Sequence, residues 1–272
     1  MIALQFPGQG AGEGGGAVAE VLAVRYGTRA ARKSEVFLHF DMYGEPDADI
    51  QMDYYFWVLR LGGQTILVDC GFNEASGGRR RRTMLCPPSR ALSRLGIDPG
   101  TITTIVVTHG HYDHIGNLPD FPDARLVMAR REYDFWTSPM GGKPLFAVSA
   151  ETDDVAALHA AHDEGRIEFF TTHTSLPGGV DLVEVGGHTP GQLIVRVGDV
   201  VLASDALHYY EELDEDRPFV HVADLPAMYA GFDMLRQLGE THRLVAGHDP
   251  DVMRRFPVVG DGLAALITLD GS

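Results

Sequence analysis

Thr108-His109-Gly110-His111-Tyr112-Asp113-His114 directly follows the apolar run Ile105-Val106-Val107. An apolar run closed in this way reads as a core strand ending in a loop, where a rigid sheet can aim several side chains at one point. Imidazole nitrogens and carboxylate oxygens are the donors that hold zinc and other borderline metals. A histidine-rich surface turn would have the same composition, but three further segments repeat the placement. His188 lies in Gly186-Gly187-His188-Thr189-Pro190-Gly191 after an apolar run at 180–185. Asp205 follows the run at 200–203, and His248 follows 244–246 in Ala246-Gly247-His248-Asp249-Pro250. His188 or His248 alone would read as a structural histidine. Repeated at several strand ends, the pattern requires one shared edge.

Outward from these segments, further short apolar runs read as strands at 20–26, 36–40, 54–60, 65–69, 105–108, 125–128, 167–170 and 193–197. Gly62-Gly63 and Gly198-Asp199 each join two runs as two-residue hairpin turns, because glycine reaches the positive φ such turns need. Helical patterns occupy 89–95, 150–164 and 224–238, the last with Asp224 as its cap and Pro226 in its first turn. Hairpins first, then strands interleaved with helices, predict an α/β fold: two mixed sheets face to face with helices on the outer faces. Residues 1–16 are glycine-rich and aperiodic, and read as a flexible tail. Residues 17–272 read as one domain.

The composition is that of an ordinary soluble globular protein. Of 272 residues, 44% are hydrophobic and 22% charged, enough apolar mass for a substantial core. Lys plus Arg number 22 against 38 acidic residues, a net charge of -16 that repels phosphate backbones and anionic lipid. Neither nucleic acid nor a membrane is therefore an expected partner. No basic stretch followed by an apolar segment opens the sequence, and Cys70 and Cys86 cannot form a disulfide framework, so a reduced, cytoplasmic protein is expected, as monomer or homodimer.

Taken together, Ile66-Leu67-Val68-Asp69-Cys70-Gly71, the 109–114 segment, His188 with Thr-Pro-Gly after it, Asp205 and His248 resemble the metallo-β-lactamase superfamily, and within it the N-acyl-homoserine-lactone lactonase family. The resemblance runs from about residue 18 to residue 248. It implies an αββα sandwich with a dinuclear metal centre at one edge. His109, His111 and His188 would hold one ion and Asp113, His114 and His248 the other, with Asp205 bridging and Asp69 steadying the ligand loops. The implied metals are two divalent ions, zinc first, with iron, manganese or cobalt as alternatives. The implied activity is lactone opening (quorum quenching, for an acyl-homoserine lactone). Two ions ~3.5–4 Å apart would make a bridging hydroxide that attacks the ester carbonyl, and Asp113 would relay the proton. Asp205 stands where lactam-hydrolysing members often carry cysteine, and His111 where the flavodiiron members carry glutamate, which disfavours both chemistries.

The lactonases carry a tyrosine three residues after the bridging aspartate; here that place is His208, followed by Tyr209 and Tyr210. His208 or Tyr209 is thus the expected donor to the substrate carbonyl. Tyr112, together with Tyr54, Phe56, Trp57, Phe135, Trp136, Met140 and Phe146, offers an apolar wall for an acyl chain, or ordinary core. The segment 138–144 reads as a lid or a plain connection. The run Arg79-Arg80-Arg81-Arg82 suits a carboxylate-bearing substrate, an acidic partner or a solvated loop. His39, His159, His162, His173, His221 and His242 lack any partner pattern and read as structural or surface residues. Rival readings are a thioester hydrolase of the hydroxyacylglutathione type, a mono-iron persulfide dioxygenase-like enzyme and a non-catalytic metal-dependent sensor.

Overall fold

The computed structural model describes residues 20–268; the expected tail at 1–16 lies outside them. In chain order the strands are β1 (Glu20–Arg32), β2 (Asp49–Leu61), β3 (Gln64–Val68), β4 (Thr83–Met84), β5 (Thr104–Val106), β6 (Arg125–Ala129), β7 (Ile167–Phe170), β8 (His173–Leu176), β9 (Val180–Glu184), β10 (Leu193–Val197), β11 (Val200–Ser204), β12 (Arg243–Ala246), β13 (Val258–Val259) and β14 (Ala264–Thr268). One sheet has the order β13-β14-β1-β2-β3-β5-β6-β7, with β4 on β1, and the other β12-β11-β10-β9-β8. Both are mixed: β3, β5 and β6 pair in parallel, as do β11 and β12, while the hairpins are antiparallel.

Alternation along the central strands shows why the sheets stack. In β2, Tyr55, Trp57 and Leu59 enter the layer between the sheets, while Phe56 and Val58 face the other way. Val68, Val106 and Val127 likewise point inward, and Leu67, Ile105 and Leu126 point outward against Leu92, Leu158 and Ala161 of the outer helices. A strand buried on both faces reads as a continuous apolar run, as these do. Opposite them, Val195, Val201, Leu202 and Val245 of the smaller sheet close the core, with Leu235 and Leu238 of the helix Leu225–Gly239.

Both two-residue hairpins form: Leu61 pairs with Gln64 across Gly62 and Gly63 (φ 54° and 84°), and Val197 pairs with Val200. The expected strand at 36–40 does not form. Lys33–Val36 is a helical turn, His39 takes a left-handed φ of 51°, and Phe37 makes only a single bridge to Phe219. Conversely, β14 was hidden by the glycines at 260 and 262 and becomes a strand by pairing with β1.

Strand direction decides where the loops gather. β3 and β5 run parallel, and β9, β11 and β12 share a direction through the β9-β10-β11 meander. The loops following β5, β9, β11 and β12 therefore open on one edge, and the Leu193 N–H donates to the Thr108 carbonyl at 3.1 Å to tie the sheets together there. Leu202 sits at the centre of this packing and is fully buried. Leu202→Ala is expected to cost about 2–5 kcal/mol, read from urea unfolding as a fall in midpoint at unchanged slope.

Candidate metal centre

Two left-handed residues shape the edge. Asp69 (φ 63°) turns the chain directly after β3, and Ser204 (φ 46°) does so at the end of β11. Non-glycine residues held there cost of order 1–3 kcal/mol and cluster at functional sites. The turn at Asp69 buries its carboxylate, which accepts from the Thr108 N–H (2.8 Å) and Thr108 Oγ1 (2.7 Å) and contacts His114 Nδ1 at 2.7 Å. Ser204 Oγ lies 2.9 Å from Thr108 Oγ1, linking the two turns.

Buried ligand-type side chains converge in two groups, His109, His111, His188 and Asp205, and Asp113, His114 and His248. His111 Nδ1 lies 3.1 Å from His109 Nε2 and 2.9 Å from His188 Nε2. Asp205 faces both groups. Its Oδ2 is 3.3 Å from His188 Nε2 and 3.7 Å from His109 Nε2, and its Oδ1 is 3.2 Å from both His114 Nε2 and His248 Nε2. His114 Nε2 lies 4.0 Å from Asp113 Oδ1, and His248 Nε2 lies 3.9 Å from Asp113 Oδ2.

The ring nitrogens turned away from the cluster are anchored. Nδ1 of His188 meets the His221 carbonyl at 2.7 Å, Nδ1 of His248 the Asp53 carbonyl at 2.8 Å, and Nδ1 of His109 the Thr108 hydroxyl at 3.1 Å. Such partners fix the tautomer and ring orientation of a metal-binding imidazole. Burial holds His109, His111 and His188 well below the usual histidine pKa, so they present lone pairs rather than protons. For His114, the Asp205 and Asp69 carboxylates outweigh burial and raise the pKa. For Asp205, burial is outweighed by the facing imidazoles, His248 first, and its carboxyl stays well below the ordinary range.

The chain fits a pair of cations. His114 Nε2 and Asp205 Oδ1 are buried without a hydrogen-bond partner although only 3.2 Å apart, because their mutual geometry is not that of a hydrogen bond. Such atoms are costly unless another ligand satisfies them, and both point where the two groups meet. The lone pairs of His109, His111 and His188, the ionised Asp205 carboxylate and these orphaned atoms together suit a dinuclear divalent centre.

Glu132, which the sequence did not single out, locks the loops from the two sheets together. Fully buried, it accepts from the Gly110 N–H (2.8 Å) and Trp136 Nε1 (2.7 Å) on one oxygen, and from Thr189 Oγ1 and the Gly191 N–H (each 2.8 Å) on the other. Gly191 permits the approach, since a Cβ there would fall 2.4 Å from the Glu132 nitrogen. The only trace in the sequence is the i, i+4 spacing of Glu132 and Trp136.

A cavity of about 200 Å³ opens on the cluster, lined by His111, Asp113, His188, Asp205 and His248 together with Tyr54, Tyr112, Arg29, Arg80, Arg82 and His221. A second lobe of about 330 Å³ shares His111, His188 and His221 and is walled by Leu145, Phe146, Val148, Val220 and Val222. His221, read from sequence as a bystander, thus faces both. The expected carbonyl donors lie elsewhere. His208 is fully buried behind Asp205, its Nε2 3.1 Å from Asp205 Oδ2 and its Nδ1 3.2 Å from Glu212 Oε1, and its ring stacks on Phe219 at 3.8 Å. The Glu212 and Asp205 carboxylates outweigh burial and raise the His208 pKa to about 9. The Tyr209 hydroxyl donates to the Gln51 carbonyl at 3.3 Å, and its ring packs against Phe37. Of the expected apolar wall, Tyr54 and Phe146 line these cavities; Phe56 and Trp57 are core, and Trp136 serves Glu132.

Residues 53–251 match the family described as the metallo-beta-lactamase superfamily, and the chain belongs to that superfamily. Over 180 residues, 60% of this chain and 64% of the relative, it is 28% identical to the N-acyl homoserine lactonase AttM of Azorhizobium caulinodans. Over 207 residues, 74% of this chain and 66% of the relative, it is 25% identical to a hydroxyacylglutathione hydrolase of a Synechococcus species. The chain therefore spans just under two thirds of the length of these curated relatives. A solved structure of an N-acyl homoserine lactone hydrolase, with the product N-hexanoyl-L-homoserine at its catalytic metal centre, shares the fold at a TM-score of 0.72 and 18% identity over 89% of this chain and 97% of that one. The dizinc quorum-quenching lactonase AidC does so at 0.67 and 20% identity, over 86% and 89%.

Removing the Glu132 carboxylate by Glu132→Ala leaves buried donors on both ligand loops without an acceptor. It is expected to destabilise the protein by about 3 kcal/mol or more and to weaken metal binding about 10–100-fold, measured by urea unfolding and by competition with a chromogenic chelator.

Proposed function

We propose that the protein is a dinuclear metal-dependent hydrolase that opens lactone rings, with an N-acyl homoserine lactone as the first substrate to test. The observation that carries this reading is Asp205, whose carboxylate lies within 3.3 Å of imidazoles from both ligand groups. His109, His111 and His188 would hold one ion, Asp113, His114 and His248 the other, and Asp205 would touch both. Divalent ions bound there, zinc first, would acidify water toward a pKa of about 7 and supply Lewis acidity toward an ester carbonyl.

The chain's own residues supply the rest. Asp113, which lines the cavity, takes the proton of the attacking water and passes it to the ring oxygen as the acyl C–O bond breaks. Tyr112 takes over the hydrogen bond first expected of His208 or Tyr209. Its hydroxyl accepts from Arg82 Nε at 3.1 Å, which leaves its own proton for a substrate oxygen. Burial pushes its pKa up to about 12, so it remains a donor at neutral pH. His208, backed by Glu212, steadies Asp205 from behind. The apolar lobe at Leu145, Phe146 and Val148 suits an acyl chain.

A thioester substrate is the second reading, favoured by the hydroxyacylglutathione hydrolase relative that aligns with 74% of this chain. A panel of lactones, esters and thioesters offered to the metal-loaded protein separates the two; turnover of thioesters alone would remove the lactonase reading. Asp205→Ala is expected to lower metal content to one ion or none by elemental analysis and to abolish turnover. Chelation should abolish it too, with zinc, cobalt or manganese restoring it. Tyr112→Phe should lower kcat by about a hundredfold, whereas an unchanged kcat would return the donor role to another group.

A further inference from the structure

We propose that the substrate carries a carboxylate, seated on Arg29 and Arg82 in the cavity beside the metal centre, so that a carboxylated lactone is preferred over the neutral N-acyl homoserine lactone. This rests on the hydrolase reading above for its kinetic arm, but the anion seat itself can be tested without turnover. The sheet register generates the site. β1 and β4 pair Gly27 with Met84 and Thr28 with Thr83, so Arg29 and Arg82 each follow or precede the last paired residue of their strand and enter the same cavity. Here both arginines line the same cavity, in a chain whose net charge is -16.

Glu35 and Asp113 line the same cavity, but neither is hydrogen-bonded to these arginines. Arg82 spends Nε on the Tyr112 hydroxyl (3.1 Å) and Nη1 on the Arg80 carbonyl (2.6 Å), and no carboxylate lies within 4.0 Å of it among the described residues. Arg29 has a buried Nε without a hydrogen-bond partner, and its nearest carboxylate, Glu35, stands 3.9 Å away. Glu35 is itself exposed and accepts from the Arg32 N–H at 2.9 Å. Arg80 is different: Glu151 pairs with it, and it donates to the Val148 (2.9 Å) and Ala150 (3.2 Å) carbonyls while its guanidinium covers the Tyr112 ring at 4.2 Å. It is a strut, which leaves Arg29 and Arg82 as the pair with charge to spare. Guanidinium groups bind carboxylates through parallel N–H donors. Because Arg82 holds Tyr112, a carboxylate there would sit next to the hydroxyl proposed to meet the scissile carbonyl. The substrate class is therefore a lactone or ester with an anionic substituent close to the reacting carbon.

The test compares a γ-butyrolactone bearing a carboxylate on the ring carbon next to the ring oxygen with its neutral carboxamide. The metal-loaded wild type should prefer the carboxylate in kcat/KM by at least about tenfold, the scale of one charge-assisted hydrogen bond. Arg82→Gln and Arg29→Gln should each shrink that ratio, and Arg81→Gln, exposed on the same run, should not. In parallel, glutarate is titrated calorimetrically into the same metal-loaded proteins, with circular dichroism checking each fold. A Kd weakened at least about tenfold in either folded variant upholds the seat, even if neither lactone is opened and the hydrolase reading has to change. A glutarate Kd indifferent to both substitutions overturns the seat, and equal kcat/KM for the two lactones overturns its assignment to the substrate.

Discussion

Asp205 is a buried carboxylate, and the structure depends on how its charge is met. Burying an unpaired charge costs several kcal/mol, and removing one partner of a buried pair is strongly destabilising. Here the imidazoles of His109, His188, His114, His248 and His208 surround it at 3.1 to 3.7 Å. They arrive on separate loops that start from different strands, and both sheets contribute. That convergence is possible only because parallel pairing within each sheet brings the carboxyl ends of β5, β11 and β12 to one edge. The fold thus acts as a frame whose two halves are drawn together by one charge and by the bridge that Glu132 makes between the loops.

Much of this was legible in the residues and some was not, for physical reasons. The clustered positions could be read because each lies in a loop just past a short apolar run, so local pattern and tertiary position coincide. The hairpins at Gly62-Gly63 and Gly198-Asp199 were legible for the same reason: a turn type dictates its residues. Glu132, His221 and Arg29 could not be found this way. Each acquires its place only when a distant segment approaches, through Gly191, the His188 ring and β4 respectively. The strand expected at 36–40 failed because apolar residues alone do not make a strand without a ladder partner, and Phe37 finds one bridge only. β14 is the converse, a modest sequence drawn into the sheet by β1.

His208 and Tyr209 show how a motif offset can mislead. Counting three residues from Asp205 reaches His208, but the chain enters the helix Tyr210–Glu215 at that point, and the geometry turns His208 inward onto Phe219 and Glu212. The cavity is instead lined at the 112 position, where Tyr112 is held between Arg80 and Arg82. The chemistry of the pocket is consequently asymmetric. One side is apolar and open at Leu145 and Val148, and the other is cationic at Arg29, Arg80 and Arg82.

The Gly62-Gly63 turn lies at the start of β3, while Asp69 and the ligand loops lie past its other end. Both glycines are exposed, and nothing stands within 4 Å of where a side chain would begin. The turn is therefore a natural graft point: an affinity peptide, a fluorophore attachment site or a tether to a solid support could be spliced there, leaving the mouth of the cavity unobstructed.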